Sequence, residues 1–410
     1  MKTQYQGIKD EIKEAVEEVF ESQQFILGPK VEALEESVAD YCGCKYAVGV
    51  SSGTDALLIA LMAADIGAGH GVITTPYTFF ATSGSIIRAG ARPLFVDIDP
   101  ATFNVDPVGI RKLIEVECSF DPATEQLVHR QTATVIRAIM PVHLYGQCAD
   151  MDPILKLAKK YHLLLFEDGA QAIGAEYLSE NNHTMRAGSM GKFGCFSFFP
   201  TKNLGGCGDG GMVTTHDRDS AEKLRVLRVH GSKPKYYHQL VGGNFRLDAL
   251  QAAVLLVKLK YLDGWTAKRR AHASYYNSLF QQSGLVEKGF ITPPRAVWED
   301  RFSKRISNPK SAVQNPQFNG HIYNQYVIRA QARDELRAYL VEQGIGTEIY
   351  YPISLHQQEC FAQLGCSKAG FPESEKAALT TLALPVYPEL KPAQLAYVVE
   401  KINSFYPDNG

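Results

Sequence analysis

Lys202 stands between an aromatic run, Phe196 to Phe199, and a glycine-rich stretch from Gly205 to Gly211. Glycine has no Cβ, so such a stretch leaves backbone close to whatever the lysine faces. An amine in crowded, partly apolar surroundings loses solvation of its charged form, and its pKa falls. The spacing offers a nucleophilic amine, against the alternative of a solvated surface lysine beside a flexible turn. Residues Gly206 to Gly211 also satisfy G-x-G-x-x-G, but a dinucleotide fingerprint follows a first strand and opens a helix. Here the glycines lead into Met212-Val213-Thr214-Thr215, a strand-like run, which argues against a nicotinamide-dependent dehydrogenase.

Three further groups carry chemistry. Ser51-Ser52-Gly53-Thr54-Asp55 precedes an apolar helical pattern. It can be an ordinary Ser or Thr N-cap, or an anion site built from free amides and the helix dipole. Pro76-Tyr77-Thr78-Phe79-Phe80 offers an aromatic face or core aromatics. Asp168-Gly169-Ala170-Gln171 follows a strand-like run ending at Glu167 and so puts a carboxylate at a strand's carboxyl end, followed by small residues.

The elements that must position these groups alternate. Strands are expected at Tyr46–Val50, Val72–Thr75, Pro93–Asp97, Val135–Pro141, Leu163–Glu167 and Val213–Thr215. Helices are expected from about Thr54 and Ala81, and over 107–117, 152–160 and 220–230. Two helical patterns precede them, over 8–22 and after Gly28-Pro29. This alternation predicts βαβ units and an α/β fold with a mostly parallel sheet covered on both faces, its ligand site beyond the carboxyl ends of the strands. A long helix is expected through about Lys260 and another from Trp265. A smaller C-terminal α+β domain follows, with a strand at Ile322–Ile328 and helices at 332–343, 373–381 and 392–403. Two stretches read as loops, Cys118 to Gln131 and the aperiodic Glu299 to Gly320. Between Glu222 and Arg270 there are eleven Lys/Arg against three Asp/Glu, an excess suited to a phosphate-bearing ligand or to a solvated helix face.

One cofactor accounts for the groups at the strand ends. A phosphate cup (Gly53, Thr54, Ser197), an aromatic platform (Phe79), a carboxylate (Asp168) and an amine (Lys202) are what pyridoxal 5'-phosphate requires. The amine forms a Schiff base with the aldehyde, and the carboxylate keeps the pyridine nitrogen protonated so that the ring accepts electrons.

Phe25–Pro29 (FILGP), Ser51–Leu57 (SSGTDAL), Pro76–Thr82 (PYTFFAT), Pro141–Asp150 (PVHLYGQCAD), Glu167–Gln171 (EDGAQ), Ser197–Gly211 and Asn244–Ala252 (NFRLDALQA) together carry a family likeness. Over nearly its whole length the sequence resembles the DegT/DnrJ/EryC1/StrS family of pyridoxal-phosphate-dependent nucleotide-sugar aminotransferases. The resemblance implies the fold-type-I aminotransferase architecture, with a large cofactor-binding domain over 1–255 and a small C-terminal domain over 256–410. It implies a homodimer with shared active sites. By position Lys202 resembles the Schiff-base lysine, Asp168 the pyridinium partner and Gln171 the residue near the cofactor's phenolic oxygen. Ser197 and the amides of Thr54 and Asp55 resemble phosphate ligands, and Phe79 the ring-stacking residue. Asn244 resembles the residue that reaches the phosphate from the neighbouring subunit, with Arg246 nearby. The Tyr350-Tyr351 pair, with His321 or Tyr326 in the preceding strand, stands where members contact the sugar.

The implied reaction moves an amino group from an amino acid, L-glutamate by family habit, through pyridoxamine phosphate to the keto group of a nucleotide-linked sugar. The wording of PYTFFAT and YGQCAD is closest to members acting at C3 of UDP-linked 2-acetamido sugars or uronic acids. C4, dTDP and GDP substrates remain alternatives. Relatives that use pyridoxamine phosphate for sugar dehydration lack the lysine, so Lys202 favours transamination. A non-catalytic ligand-binding or regulatory protein of the same fold is disfavoured by the survival of Lys202, Asp168 and the cup.

Composition agrees with a soluble, cytoplasmic enzyme. At 45% hydrophobic and 21% charged residues with a formal net charge of −2, nothing suggests nucleic-acid binding or a polybasic membrane anchor. The N-terminal residues lack an apolar signal-peptide core, and no run approaches the roughly 18 apolar residues of a membrane span. The eight cysteines have neither CxxC pairing nor metal-type spacing and read as reduced thiols, with Cys195 and Cys207 as packing; no metal is expected.

Overall fold

The computed structural model describes residues 2–306, 318–366 and 370–406. Its centre is a nine-stranded sheet. In chain order the strands are β1 (Tyr46–Val50), β2 (His70–Thr74), β3 (Arg92–Phe95), β4 (Cys118–Asp121), β5 (Gln126–His129), β6 (Thr134–Ile139) and β7 (Leu164–Asp168). A small hairpin, β8 (Glu176–Leu178) with β9 (Thr184–Arg186), stands apart, and β10 (Phe193–Ser197) and β11 (Gly211–Thr215) complete the sheet. The spatial order is β1-β11-β10-β7-β6-β2-β3. Pairings from β3 across to β10 are parallel, whereas β11 runs antiparallel to both β10 and β1. Two reversals restore direction, so β1, β2, β6, β7 and β10 all end on one edge. That edge gathers Ser51 to Asp55, Thr75 to Phe80, Asp168 and Ser197.

Strands buried on both faces read as continuous apolar runs. Val48, Val50, Val72, Ile73, Ala138, Phe166, Phe193 and Val213 accordingly have almost no exposed surface. The covering helices are α1 (Lys2–Ser22), α2 (Pro29–Cys42), α3 (Gly53–Ala63), α4 (Ala81–Arg88), α5 (Pro107–Lys112), α6 (Met151–Lys160), α7 (Arg218–Leu227) and α8 (Ala249–Leu259). Helix α3 is apolar nearly all round because it lies between β1, β10 and α4, with Ala56, Leu57, Ile59, Ala60 and Leu61 all buried.

Helix α9 (Leu262–Gln282) joins two cores. Leu262 and Trp265 pack with α1, α2 and α8, while Ala273, Tyr276 and Phe280 pack into the smaller C-terminal layer. That layer is an antiparallel sheet of β12 (Ile291–Thr292), β13 (Tyr326–Ala330) and β14 (Thr381–Leu384). Beside it stand α11 (Arg333–Glu342), α12 (Pro372–Thr380) and α13 (Pro392–Phe405). Between β12 and β13 the chain returns to the large sheet through α10 (Val297–Ile306), whose Trp298 and Phe302 join Tyr177, Ile154 and Ile322 in the first core.

Three expectations change. The stretch Glu299–Gly320 is not structureless throughout, because α10 extends to Ile306; Trp298 and Phe302, four apart, give it a buried face. Positions 307–317 of that stretch lie outside the described residues. Cys118–Gln131 is no loop but the β4–β5 hairpin, turned where Asp121 accepts from Ala123 N (2.9 Å) and Thr124 Oγ1 (2.8 Å). The C-terminal sheet strand begins at Tyr326 rather than Ile322, and β14 follows α12 directly where only helix was expected.

Candidate active site

Strand register brings the carboxylate and the amine together. Asp168 ends β7 and pairs with Cys195 of β10, two residues before Ser197; the turn after β10 then presents Lys202. This turn is tight, with Lys202 N donating to Phe199 O at 2.8 Å. Gly205 is forced there, because a Cβ would stand 2.4 Å from the Pro200 carbonyl oxygen. The Lys202 side chain is half-buried, and burial lowers its pKa to about 8, opposed by the Asp168 carboxylate. Among the described residues its Nζ enters no hydrogen bond or ion pair. The sequence expectation of a depressed amine is thereby matched by a physical cause.

Asp168 is 4% exposed. Burial raises its pKa, against lowering by the Thr82 hydroxyl, the Ala170 amide and Lys202. Thr82 Oγ1 donates to Oδ2 at 2.7 Å and Ala170 N to Oδ1 at 3.2 Å. Thr82 was not singled out from sequence; its signal is its place one turn after Thr78, to whose hydroxyl it bonds at 3.0 Å.

A second layer stands behind this carboxylate. His143 N donates to Asp168 O at 2.9 Å and Asp168 N to Pro141 O at 2.9 Å. The neighbouring Glu167 is fully buried and accepts from Gly188 N (2.8 Å), Met190 N (2.7 Å), Gly191 N (2.6 Å) and His143 Nε2 (2.9 Å). Neither Glu167 nor His143 stands out in the sequence, since a strand pattern does not say which of two adjacent carboxylates faces the ligand edge.

The expected anion cup is a capped helix N-terminus. Asp55 N donates to Ser52 Oγ at 3.1 Å, while the Ser51 and Ser52 hydroxyls donate to Asp55 Oδ2 at 2.7 and 2.9 Å. The Asp55 amide is thus spent on the cap and is not free for an anion in this arrangement, which leaves the amides of Gly53 and Thr54. A Cβ on Gly53 would fall 2.5 Å from Ser197 Cβ, so only glycine lets Ser197 close the cup.

Phe79 is 56% exposed, and its ring lies 6.0 Å from that of Tyr351. The Tyr351 hydroxyl accepts from Gln171 Nε2 at 3.1 Å, and Gln171 Oε1 accepts from Tyr145 N at 2.7 Å. Burial pushes the Tyr351 phenol well above its usual range. The hydroxyls of Tyr77 and Tyr145 converge on the Tyr350 carbonyl and tie the small layer to this edge.

Asn244 is exposed. Arg246 bridges to Val50 at the end of β1, and its Nε is buried without a partner among the described residues. His321 is not presented to solvent. It is 3% exposed, stacks on Tyr323 at 4.0 Å, accepts from Tyr323 N at 3.0 Å and is pushed down to about 3 by burial. Tyr326 is fully buried in the small core with its hydroxyl on Asn277 Oδ1 (2.6 Å). Much of the basic excess over 222–270 is consumed locally, in pairs such as Lys223–Asp65, Arg228–Glu35 and Arg270–Glu299. Cys195 packs in the core, but Cys207 is exposed and does not. Among the described residues no helix is long and apolar enough to cross a membrane, and no cluster of three His, Cys, Asp or Glu side chains could hold a metal.

Comparison with known proteins bears on this edge. The model of the DegT/DnrJ/EryC1/StrS aminotransferase family matches residues 6–403. A Geobacillus stearothermophilus protein named "Pleiotropic regulatory protein" is 48% identical over 98% of this chain and 96% of its own. The UDP-N-acetyl-3-dehydro-alpha-D-glucosamine 3-aminotransferase of Acidithiobacillus ferrooxidans is 37% identical over 98% and 95%. Among solved structures, S. venezuelae DesV in complex with a ketimine intermediate superposes with a TM-score of 0.83 at 34% identity, covering 98% and 96% of the two chains.

Proposed function

The chain belongs to the DegT/DnrJ/EryC1/StrS aminotransferase family, whose members depend on pyridoxal phosphate, and from that premise we propose that it transfers an amino group from L-glutamate to a keto sugar carried on a nucleotide. A C3 keto group of a UDP-linked 2-acetamido sugar or its uronic acid is the substrate we favour, supported by the named activity of the Acidithiobacillus relative. C4 and dTDP- or GDP-linked sugars are the alternative.

The residues present fit the cofactor. Asp168 is a buried carboxylate beside Lys202, and its raised pKa is what a protonated ring nitrogen would relieve. Glycine at 53 admits a Ser197 approach that any Cβ would block, which sets the Ser197 hydroxyl beside the Gly53 helix N-terminus as a phosphate ligand would require. Lys202 would bond the aldehyde carbon, Asp168 would hold the ring nitrogen and Phe79 would cover a ring face. Gly53, Thr54 and Ser197 would hold the phosphate, with Gln171 at the ring oxygen. When bound, pyridoxal phosphate supplies a carbonyl for the amine and a ring that accepts the electron pair left by a departing proton.

The protein's own part is proton movement and orientation. Lys202 Nζ, poised near 8, takes the proton from the donor's α-carbon and later delivers one to the sugar carbon that receives the amine. Asp168, held in place by Thr82 and Ala170, would hold a proton at the ring nitrogen. Tyr351, anchored by Gln171, and Tyr350 line the sugar side. We further propose a homodimer with Asn244 reaching the partner's phosphate region and Arg246 nearby on the substrate side. Exposed Tyr236 (78%), Tyr237 (71%) and Val241 (90%) beside Asn244 are apolar surface suited to a second copy.

The observation that carries the proposal is the depressed Lys202 amine beside the buried Asp168. Assay of UDP-, dTDP- and GDP-linked keto sugars with glutamate tests it. Formation of 2-oxoglutarate with none of them would overturn the substrate class.

A further inference from the structure

A cleft of about 300 Å³ opens between the turn that carries Lys202 and the small layer, lined by Thr201, Arg269, Asn324, Thr347, Glu348 and Tyr350 among others. We propose that this cleft is the subsite for a carboxylate of the amino-acid donor, with Arg269 as its counter-charge. The proposal rests on the aminotransferase activity inferred above and names where one of its two substrates is held.

Arg269 projects from α9 and is 9% exposed. Its Nη1 donates to three carbonyl oxygens, of Val386 (2.6 Å), Tyr323 (3.1 Å) and Asn324 (3.3 Å). Among the described residues it has no carboxylate within ion-pair distance, unlike the buried Arg228, which is paired with Glu35. A guanidinium taken out of water and hydrogen-bonded to neutral carbonyls keeps a large desolvation cost, which the Glu389 carboxylate, beyond ion-pair distance, offsets only in part. The same burial lowers its pKa to about 10. An anion in the cleft would provide what is missing, and the planar fork suits a carboxylate.

The rest of the lining agrees. Thr347 Oγ1 and Asn324 Oδ1 are buried without hydrogen-bond partners, and Asn324 is only 7% exposed. The Asn324 amide donates to Gln325 Oε1 at 2.6 Å, and rotating both amides together would turn an N–H toward the cleft. Glu348 is the one acidic side chain of the lining. Its carboxylate is taken up by Ile349 N (3.0 Å) and Arg337 (3.6 Å). Two lining residues are chain neighbours of the reacting edge: Thr201 precedes Lys202, and Tyr350 precedes Tyr351, with their rings 5.8 Å apart. Its volume is at the small end of ligand pockets, on the order of 300–1,000 Å³, which suits an amino acid better than a nucleotide-sugar.

The test uses the cofactor-loaded enzyme, with glutarate as a non-reacting dicarboxylate and UDP as the nucleotide probe, both titrated by calorimetry. Thr347→Glu places a like charge in the cleft without touching the carbonyl bonds of Arg269, and Arg269→Gln removes the cation itself. At least tenfold weaker glutarate binding in Thr347→Glu, a matching rise in the KM for glutamate and UDP affinity within twofold are expected. Arg269→Gln, where it folds, should behave alike. Unchanged glutarate affinity in Thr347→Glu overturns the subsite, and so does an equal loss of glutarate and UDP. A wild-type enzyme that uses a neutral amino acid but does not bind glutarate also overturns it, while leaving transamination standing. One that accepts no amino donor overturns both.

Discussion

His143 donates from Nε2 to Glu167 Oε2 across 2.9 Å, with neither side chain exposed. Ala149 N donates to His143 Nδ1 at 3.1 Å, so the second nitrogen is the acceptor and the imidazole's proton sits on Nε2. The pair lies directly behind Asp168, whose backbone it brackets through His143 N and the adjacent Glu167.

Glu167→Gln is expected to destabilise the cofactor-free protein by on the order of 3 kcal/mol, because an amide cannot accept from all four donors that surround the carboxylate. Urea denaturation measures this. Retention of pyridoxal phosphate after gel filtration should also fall as Asp168 loosens. Wild-type stability in this variant would mean that the four bonds carry no net weight.

Lys202→Ala should fold as the parent does, lose turnover and lose the visible chromophore that borohydride traps. Asp168→Ala should keep the lysine linkage but release cofactor readily and turn over at a small fraction of the parent rate. Substantial transamination by Lys202→Ala without added amine would refute the assignment of the nucleophile. Normal activity in Asp168→Ala would mean that another carboxylate serves the ring nitrogen.

With a pKa of about 8, roughly one Lys202 amine in ten is neutral at pH 7, against roughly one in three thousand at the ordinary lysine value. The rate at which the cofactor-free protein captures pyridoxal phosphate should therefore rise with pH and level off just above 8. A climb that continued toward 10.5 would mark an ordinary lysine. The shift also bears on stability. Between about 8 and 10.5 the unfolded chain holds the extra proton, so this group makes stability rise with pH across that window. Lys202→Met should remove that component.

For the shared site, mixed dimers are decisive. Subunits carrying Asn244→Ala and subunits carrying Lys202→Ala, each inactive alone, should regain one working site in two when combined. No recovery on mixing would indicate that each site is built from a single chain.

Much of this was legible in the residues. The alternation of apolar strands and helices located the large sheet, and the ends of its strands named Lys202, Asp168, Phe79 and the Gly53–Ser197 cup. Their convergence is expected from the needs of one cofactor, but the means is not legible: β11 runs antiparallel to both β10 and β1, so that β1 ends on the same edge as β7 and β10. His321 looked like a ligand contact by position, yet it is enclosed against Tyr323, and burial is a property of the packed whole. The Asp55 amide looked available until the Ser52 cap claimed it. The cleft at Arg269 joins residues far apart in the chain, and no local pattern could announce it.

The return of the chain through α10 has a practical consequence for anyone dissecting the protein. A fragment ending at residue 255 would stop inside α8 and would also lack Trp298, Phe302, Phe318 and Ile322, which close the first core over Ile154 and Tyr177. Such a piece would expose that apolar surface and aggregate. A cut at 255 therefore does not yield a folding unit: the large-sheet half has to be expressed with the segment that folds back onto it, or as the intact chain.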